Sequence, residues 1–265
     1  MAARDQPVAR KINREMVVLL GWGRAILLQL AHPLVAAGVS DHSDFSAGAR
    51  GYLRRVRHTV GAMLTICFGS PEEADRAIAG IRSVHDRING HLSEATGPFE
   101  AGTPYSAHDP PLLLWVHATL LESLIEAYEL LVGPLDDSEK TAYVTEAGDV
   151  AVALGIPAEM VPRTFPDLRA YLDERYCSGD ICVGETARTV GDALLRPTLG
   201  PASLLFAPSR VLTLGLLPDP IRQAYGFEWS DSLARSYRRI AALARSVRPI
   251  LPRAVREWPA ARAAA

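Results

Sequence analysis

The chain has 265 residues, is 48% hydrophobic and 22% charged, and carries a formal net charge of -2. This composition excludes an intrinsically disordered, collagen-like or coiled-coil protein. A net charge close to zero also argues against a dedicated nucleic-acid-binding protein, which normally carries a basic patch or stripe. The length is sufficient for one large domain with a sizeable hydrophobic core.

The cysteines and one apolar segment bear on the compartment of the protein. Cys67, Cys177 and Cys182 are too few and too widely spaced for a disulfide framework or a zinc site, so we expect reduced thiols in a cytoplasmic protein. Residues 16–39 superficially resemble a signal peptide or a membrane anchor. However, Arg24 interrupts them, and an arginine in the centre of a spanning helix costs about 2.5 kcal/mol or more. We therefore interpret this segment as a buried helix.

Helical periodicity extends over almost the whole chain, and alternating strand patterns are absent. Ser70 and Pro71 are typical of a helix start, and Gly155 is typical of a residue that follows a helix. His32-Pro33 is predicted to close the first helix. The pattern predicts a single all-α domain. Its predicted helices span about 13–30, 48–67, 71–89, 109–131, 138–154, 165–176, 185–195, 203–216, 220–225 and 230–247.

The histidines are clustered in one part of the sequence. All seven lie in the first half of the chain, at His32, His42, His58, His85, His91, His108 and His117. Clustering alone does not establish a functional site, because a single histidine is more often an ordinary core or surface residue.

Helical spacing places some of these histidines beside arginine. Arg55, His58 and Thr59 share one helix face, and Arg82 and His85 share another. Two such faces could enclose a buried anionic cofactor, with arginine neutralising its carboxylates and an imidazole ligating its metal. Spacing alone, however, favours ordinary solvated faces with an occasional salt bridge.

Other sites have weaker support from the sequence. His117 lies on the fourth helix, opposite an acidic stripe that includes Glu122. Asp41 and Asp44 flank His42 and could hold a metal ion, but no E-x-x-H di-iron motif occurs. The motifs G-x-S-x-G and H-E-x-x-H and the P-loop lysine sequence are also absent.

Three sequence blocks carry a family resemblance. Residues 20–45 (LGWGRAILLQLAHPLVAAGVSDHSDF), 84–90 (VHDRING) and 105–119 (YSAHDPPLLLWVHAT) occur in the order found in the MpaB / rubber-oxygenase catalytic domain family. The resemblance covers about 21–175. It implies an all-helical haem b protein, similar to latex clearing proteins, which use a single proximal histidine and cleave a carbon–carbon double bond with dioxygen.

The resemblance also implies roles for individual residues. The family's R-x-x-H block falls on 82–85, which makes His85 the axial iron ligand and Arg82 a propionate or supporting partner. The family's R-x-x-[KR]-T block falls on 55–59, which assigns distal or propionate contacts to Arg55 and Thr59.

The chain departs from the family pattern at several positions. His58 stands where the family usually has lysine or arginine, and it is a catalytic candidate for the open face of the haem together with His42, Arg55 and Thr59. Asn89 stands where an arginine often follows the ligand. The glutamate proposed as the base in rubber oxygenases has no match, and His42 is the nearest polar substitute by position. His117 is the second candidate for cofactor binding.

We expect a haem b-dependent oxygenase or oxidoreductase that acts with dioxygen on a small apolar organic substrate. Two alternatives remain open, namely a non-catalytic haem- or gas-binding protein and a structural or interaction protein with an incidental histidine cluster. The expected domain spans 1–265, with a family-like core at about 15–228 and a basic helical tail at 229–265. That tail has eight arginines against two acids. Peripheral contact with an anionic membrane is one interpretation of the tail, and a solvated helix that packs on the domain is the favoured one.

Overall fold

The computed structural model describes residues 7–42, 48–196 and 206–264, and it describes only the backbone of residues 48–56. The helices are α1 (Val8–Asn13), α2 (Trp22–Leu30), α3 (Pro33–His42), α4 (Gly48–Phe68), α5 (Pro71–His85), α6 (Pro110–Leu131), α7 (Asp137–Leu154), α8 (Phe165–Cys177), α9 (Glu185–Leu195), α10 (Ala207–Leu216), α11 (Asp219–Ala224), α12 (Asp231–Val247), α13 (Arg253–Arg256) and α14 (Pro259–Ala263). The predicted all-α class is confirmed.

A small antiparallel sheet lies between α5 and α6. It consists of β1 (Asn89–His91) and β2 (Pro104–Ser106), with Gly90 opposite Tyr105. The prediction that strands are absent is wrong here, because three-residue strands are too short to show an alternating pattern. Helix α5 ends at His85, several residues before its predicted end, because the chain turns there and enters β1.

Several predicted helix boundaries are confirmed where the local signal is strong. Ser70 forms a capping box with Glu73, and Pro71 is the first residue of α5. Gly155 ends α7 with a φ of 111°, a conformation that favours glycine. The predicted start of the helix at residue 203 lies outside the described residues.

The apolar segment 16–39 is broken, whereas the sequence predicted one helix over 13–30. It consists of a 3-10 helix (Met16–Gly21), α2 and α3, and the direction changes by 110° at the break after Leu30. Pro33 begins α3, which the sequence analysis did not predict. No single helix in the described residues is long and apolar enough to cross a membrane, although the bent pair on either side of this break passes that test jointly.

The core is built around α6. Trp115, Ala118 and Ile125 are fully buried in it, and α6 packs against α2, α7 and the 3-10 helix. A Cβ atom at Gly21 would lie 2.6 Å from the carbonyl oxygen of Ser123, so glycine permits this close approach.

Arg24, the charge that interrupts the apolar segment, is neutralised inside the core. Its Nη2 donates to Glu122 Oε2 at 2.7 Å, and its Nη1 donates to Ser123 Oγ at 2.7 Å. Its Nε donates to the carbonyl oxygen of Leu216 at 2.9 Å. Glu122 also accepts from Arg169 and is only 1% exposed. The acidic residue at this position of α6 is therefore a core partner and does not belong to a solvated stripe.

The end of the chain is tied to its beginning. Arg248 Nε donates to the buried carboxylate of Glu15 at 2.9 Å, and Arg253 Nε donates to buried Glu257 at 3.0 Å. Arg256 lies 3.9 Å from Glu15. Several arginines of the basic tail therefore pair with acids of the protein itself.

Candidate functional site

The predicted site residues of α4 and α5 lie on a helical hairpin. Only Gly69 and Ser70 connect the two helices, which pack against each other and therefore run antiparallel. The Ser70 side chain accepts from the Glu73 N–H, and Glu73 Oε2 accepts from the Ser70 N–H at 2.8 Å. Arg55 and His85 are equally far along the chain from Ser70, so they occupy the same level of the hairpin.

His85 is the last residue of α5, and its imidazole is half-buried. Its Nδ1 atom is buried, with no hydrogen-bond partner among the described residues. The His108 ring lies edge-on to it, with the ring centroids 6.0 Å apart. Burial lowers the pKa of His85, and the neighbouring His108 lowers it further. The side chain is therefore a neutral imidazole with an unused nitrogen, which is the form that binds a metal.

Arg82 lies one helical turn before His85 but is already engaged elsewhere. Its Nη1 donates to the carbonyl oxygen of Ala153 at 3.2 Å, and its side chain is exposed. This bond links α5 to the carboxyl end of α7. Through this bond Arg82 helps to hold α5 against α7.

On α4, the described side chains of the predicted distal block are accessible to solvent. His58 and Thr59 are exposed, as is Arg57. The side chain of Arg55 lies outside the described residues, so only the level of Arg55 on the hairpin is known.

His42 is brought to β1 by the carboxyl end of α3. Its Nε2 lies 3.1 Å from the carbonyl oxygen of Asn89 and 3.4 Å from Tyr105 Oη. Tyr105 Oη donates to Asp41 Oδ2 at 2.6 Å. Burial and this hydrogen bond raise the pKa of Tyr105, which therefore stays protonated. Because a carbonyl can only accept, the contact with Asn89 places a proton on His42 Nε2.

Tyr105 was not among the predicted site residues, although it lies in the third family block. The only signal in the sequence was the glycine at position 90. A Cβ atom there would lie 2.6 Å from Tyr105 Oη, so Gly90 makes room for the tyrosine beside His42. Asp44, the other half of the proposed acidic pair, lies outside the described residues.

His117, the second cofactor candidate, lies on α6. Its Nε2 atom is buried and has no hydrogen-bond partner among the described residues. Burial lowers the pKa of His117 to about 4, so this imidazole is also neutral. The structure thus contains two imidazoles with a buried, unsatisfied nitrogen, on α5 and on α6.

His32 has a structural environment. It is 2% exposed, its Nδ1 accepts from the Leu34 N–H at 3.3 Å, and its ring lies 5.2 Å from that of Phe99. Burial, and secondly the charge of Arg175, lower the pKa of His32 to about 4. These contacts stabilise the corner between α2 and α3.

The described side chains limit the kind of metal site that the protein can form. No group of three or more His, Cys, Asp or Glu side chains in the described part of the chain could hold a metal ion. A cofactor whose metal needs a single imidazole is compatible with that finding.

A cavity of about 370 Å³ lies beside α9 and α10, and none of the predicted site residues lines it.

The architecture is that of a predominantly helical domain with candidate imidazoles on α5 and α6, and comparison with known proteins identifies its family. Residues 9–246 match the family described as "ER-bound oxygenase mpaB/B'/Rubber oxygenase, catalytic domain", and the chain belongs to this family of oxygenases. The match extends well beyond the blocks that carry the resemblance in the sequence.

Two mycobacterial relatives align over nearly the whole chain. The uncharacterized proteins Mb2261 of Mycobacterium bovis and Rv2237 of Mycobacterium tuberculosis are each 30% identical over 246 residues. The alignment covers 88% of this chain and 89% of each relative. No solved structure matches the chain significantly.

Proposed function

We propose that this protein is a haem b-dependent oxygenase that uses dioxygen to oxidise a small apolar organic substrate, with His85 as the axial ligand of the iron. The observation that carries the proposal is the buried, unpaired Nδ1 of His85. It belongs to an R-x-x-H block in a chain of an oxygenase family.

The unpaired nitrogen supports a ligand at this position. A buried polar atom without a partner costs about 1–3 kcal/mol, and native proteins rarely retain one without a reason. Coordination of the iron through this Nδ1 atom would remove that cost. The low pKa of His85 adds to the argument, because the ring needs no deprotonation before it binds a metal.

The hairpin supports a second wall of the same site. Arg55 is level with His85, and Thr59 lies one turn further along α4. A guanidinium binds a carboxylate such as a haem propionate through two parallel hydrogen bonds. We assign this contact to Arg55 and a polar contact to Thr59. Arg82 holds α5 in place through Ala153.

His42 and Tyr105 supply the proton chemistry of the proposed site. Haem iron with one histidine ligand binds and activates dioxygen when the group is present. The carbonyl of Asn89 accepts from His42 Nε2, so Nδ1 is the nitrogen that would take part in proton transfer. Asp41 holds Tyr105 beside this ring. We assign the role of proton acceptor to His42 and that of a positioning residue to Tyr105.

The surroundings of Tyr105 favour an apolar substrate. Buried Leu34, Ala37, Leu92 and Leu112 form one hydrophobic cluster with it. A polar substrate placed against these side chains would lose hydration without gaining hydrogen bonds.

The first experiment is an absorption spectrum of the purified protein reconstituted with haem. We expect a Soret band that is lost or shifted in His85→Ala and retained in His91→Ala, because His91 is exposed on β1. If His85→Ala retains full haem with an unchanged spectrum, the axial assignment is wrong and His117→Ala becomes the variant to examine.

The second experiment separates an oxygenase from a haem protein without turnover. Dioxygen consumption is measured with an apolar alkene as substrate. We expect His42→Ala to lose turnover while it retains haem, and Tyr105→Phe to lower turnover less. Haem-loaded wild-type protein that consumes no dioxygen with any apolar alkene would contradict the catalytic part of the proposal.

A further inference from the structure

Exposed apolar side chains are concentrated near the carboxyl end of the described chain. Ile250 is 78% exposed, Leu243 64% and Val255 58%, and Leu251 is also exposed. We call these four residues the C-terminal apolar patch. The other exposed large apolar side chains among the described residues are each less than half exposed and lie apart in the sequence, at Met16, Val84, Val152 and Met160. Scattered single residues are normal on a surface, whereas exposed apolar groups that adjoin one another are typical of an interaction site.

Two residues of the patch belong to α12 and the turn that follows it, and they lie on the side of this run that faces away from the protein. Ala241 is buried against the domain, in a cluster with Leu131 and Leu212. Helix α12 continues into a 3-10 turn at Arg248–Ile250. Leu243 and Ile250 are seven residues apart along this helical run, which places them on a common side, roughly opposite Ala241.

Unpaired arginines accompany the patch. Arg235, Arg238 and Arg239 are exposed on α12, and Arg239 lies one turn before Leu243. Within the described residues, no acid lies within ion-pair distance of these three, which we call the α12 arginines. They differ in this respect from Arg248, which pairs with Glu15. The outward side of α12 therefore combines positive charge with exposed apolar groups.

We propose that the C-terminal apolar patch and the α12 arginines form a docking surface for an anionic lipid membrane. A helix with a basic face and adjacent large apolar side chains binds in the plane of the lipid interface. The arginines would contact the headgroups, while Ile250 and Val255 would enter the acyl boundary. This surface is distinct from the proposed haem site on α4 and α5.

Other partners fit this surface less well. A nucleic acid would use the arginines but offers nothing comparable for the exposed Leu243 and Ile250. A second copy packed on this surface around a two-fold axis would bring two sets of α12 arginines into one interface, and like charges at an interface disfavour association. An anionic bilayer accommodates both the charge and the apolar groups.

The test is sedimentation of the full chain with vesicles of phosphatidylcholine alone or of phosphatidylcholine mixed with phosphatidylglycerol. We expect binding to the anionic vesicles only, and weaker binding as salt is raised. Replacing all three α12 arginines by glutamine should lower the partition coefficient by about a hundredfold, since each contributes a factor of about five. The double variant Ile250→Ser, Val255→Ser should lower it by about tenfold or more.

Matched controls use exposed residues elsewhere on the protein. The triple variant Arg76→Gln, Arg196→Gln, Arg210→Gln removes the same charge, and the double variant Val152→Ser, Met160→Ser removes the same kind of apolar surface. Both controls should bind anionic vesicles as the wild type does, and all variants should keep the wild-type thermal transition.

Three results would overturn the proposal. The first is absence of sedimentation with anionic vesicles at low salt. The second is equal loss of binding in the α12 variants and the matched controls. The third is a wild-type dimer in analytical ultracentrifugation that the Ile250→Ser, Val255→Ser variant abolishes, which would assign the patch to a second copy of the chain.

Discussion

Replacing His85 with leucine is expected to change haem binding and stability in opposite directions. Leucine fills a similar space but has no polar atom, so the variant loses the axial ligand and also loses the unpaired Nδ1. A buried polar atom without a partner costs about 1–3 kcal/mol. Because the ring is only half-buried, the lower end applies, at about 1 kcal/mol. For a chain of this size, that raises the melting temperature of the haem-free protein by about 2–4 °C.

The assay compares haem-free and reconstituted protein for the wild type, His85→Leu and His108→Leu. The melting temperature is taken from circular dichroism, and haem content is taken from Soret absorbance per protein. His108 is the control because its Nε2 lies 2.7 Å from Asp86 Oδ1 on the surface, so leucine there removes one exposed hydrogen bond and leaves the ligand intact. A haem-free His85→Leu protein that is destabilised by more than about 1 kcal/mol, yet still binds haem, would refute the reasoning and make His85 a structural residue.

Three further predictions concern the second wall and the core. Arg55→Ala should lose haem to apomyoglobin faster than Arg57→Ala, which removes an exposed arginine from the same helix; equal rates would contradict the propionate contact. Burial lowers the pKa of His32 from 6.5 to about 4, so folding keeps this ring neutral while the unfolded chain protonates it. The free energy of unfolding therefore includes a contribution from the neutral His32 that is fully present above pH 6.5 and is lost as the pH falls towards 4, by up to about 3 kcal/mol. Urea denaturation as a function of pH measures this loss, and His32→Gln should flatten that part of the profile. Glu122→Gln should destabilise the protein by about 3–5 kcal/mol in the same assay, because it leaves buried Arg24 without its counter-charge; a loss below 1 kcal/mol would contradict that role.

Much of the helical architecture was predictable because its signals are local. The Ser70 capping box joins residues three positions apart, and the left-handed Gly155 depends on the end of its own helix. The apolar spacing of α6 likewise predicted its extent closely. The N-terminal region was predicted less well, since Pro33 was interpreted as the end of one helix when it begins another. A proline is compatible with both positions, and only the packing of α3 on the domain decides between them.

The candidate site likewise has features that the sequence predicts and contacts that depend on the fold. The R-x-x-H block and the spacing on α4 and α5 are properties of the sequence, but only the family resemblance assigned site roles to Arg55 and His85. The contact of Tyr105 with Asp41 depends on the fold, because 64 positions separate the two residues. Likewise, 98 positions separate Arg24 from Glu122. Helical periodicity tells which side of a helix carries a group, but the partner of a buried charge or hydroxyl is determined only when separate helices pack and exclude water from both.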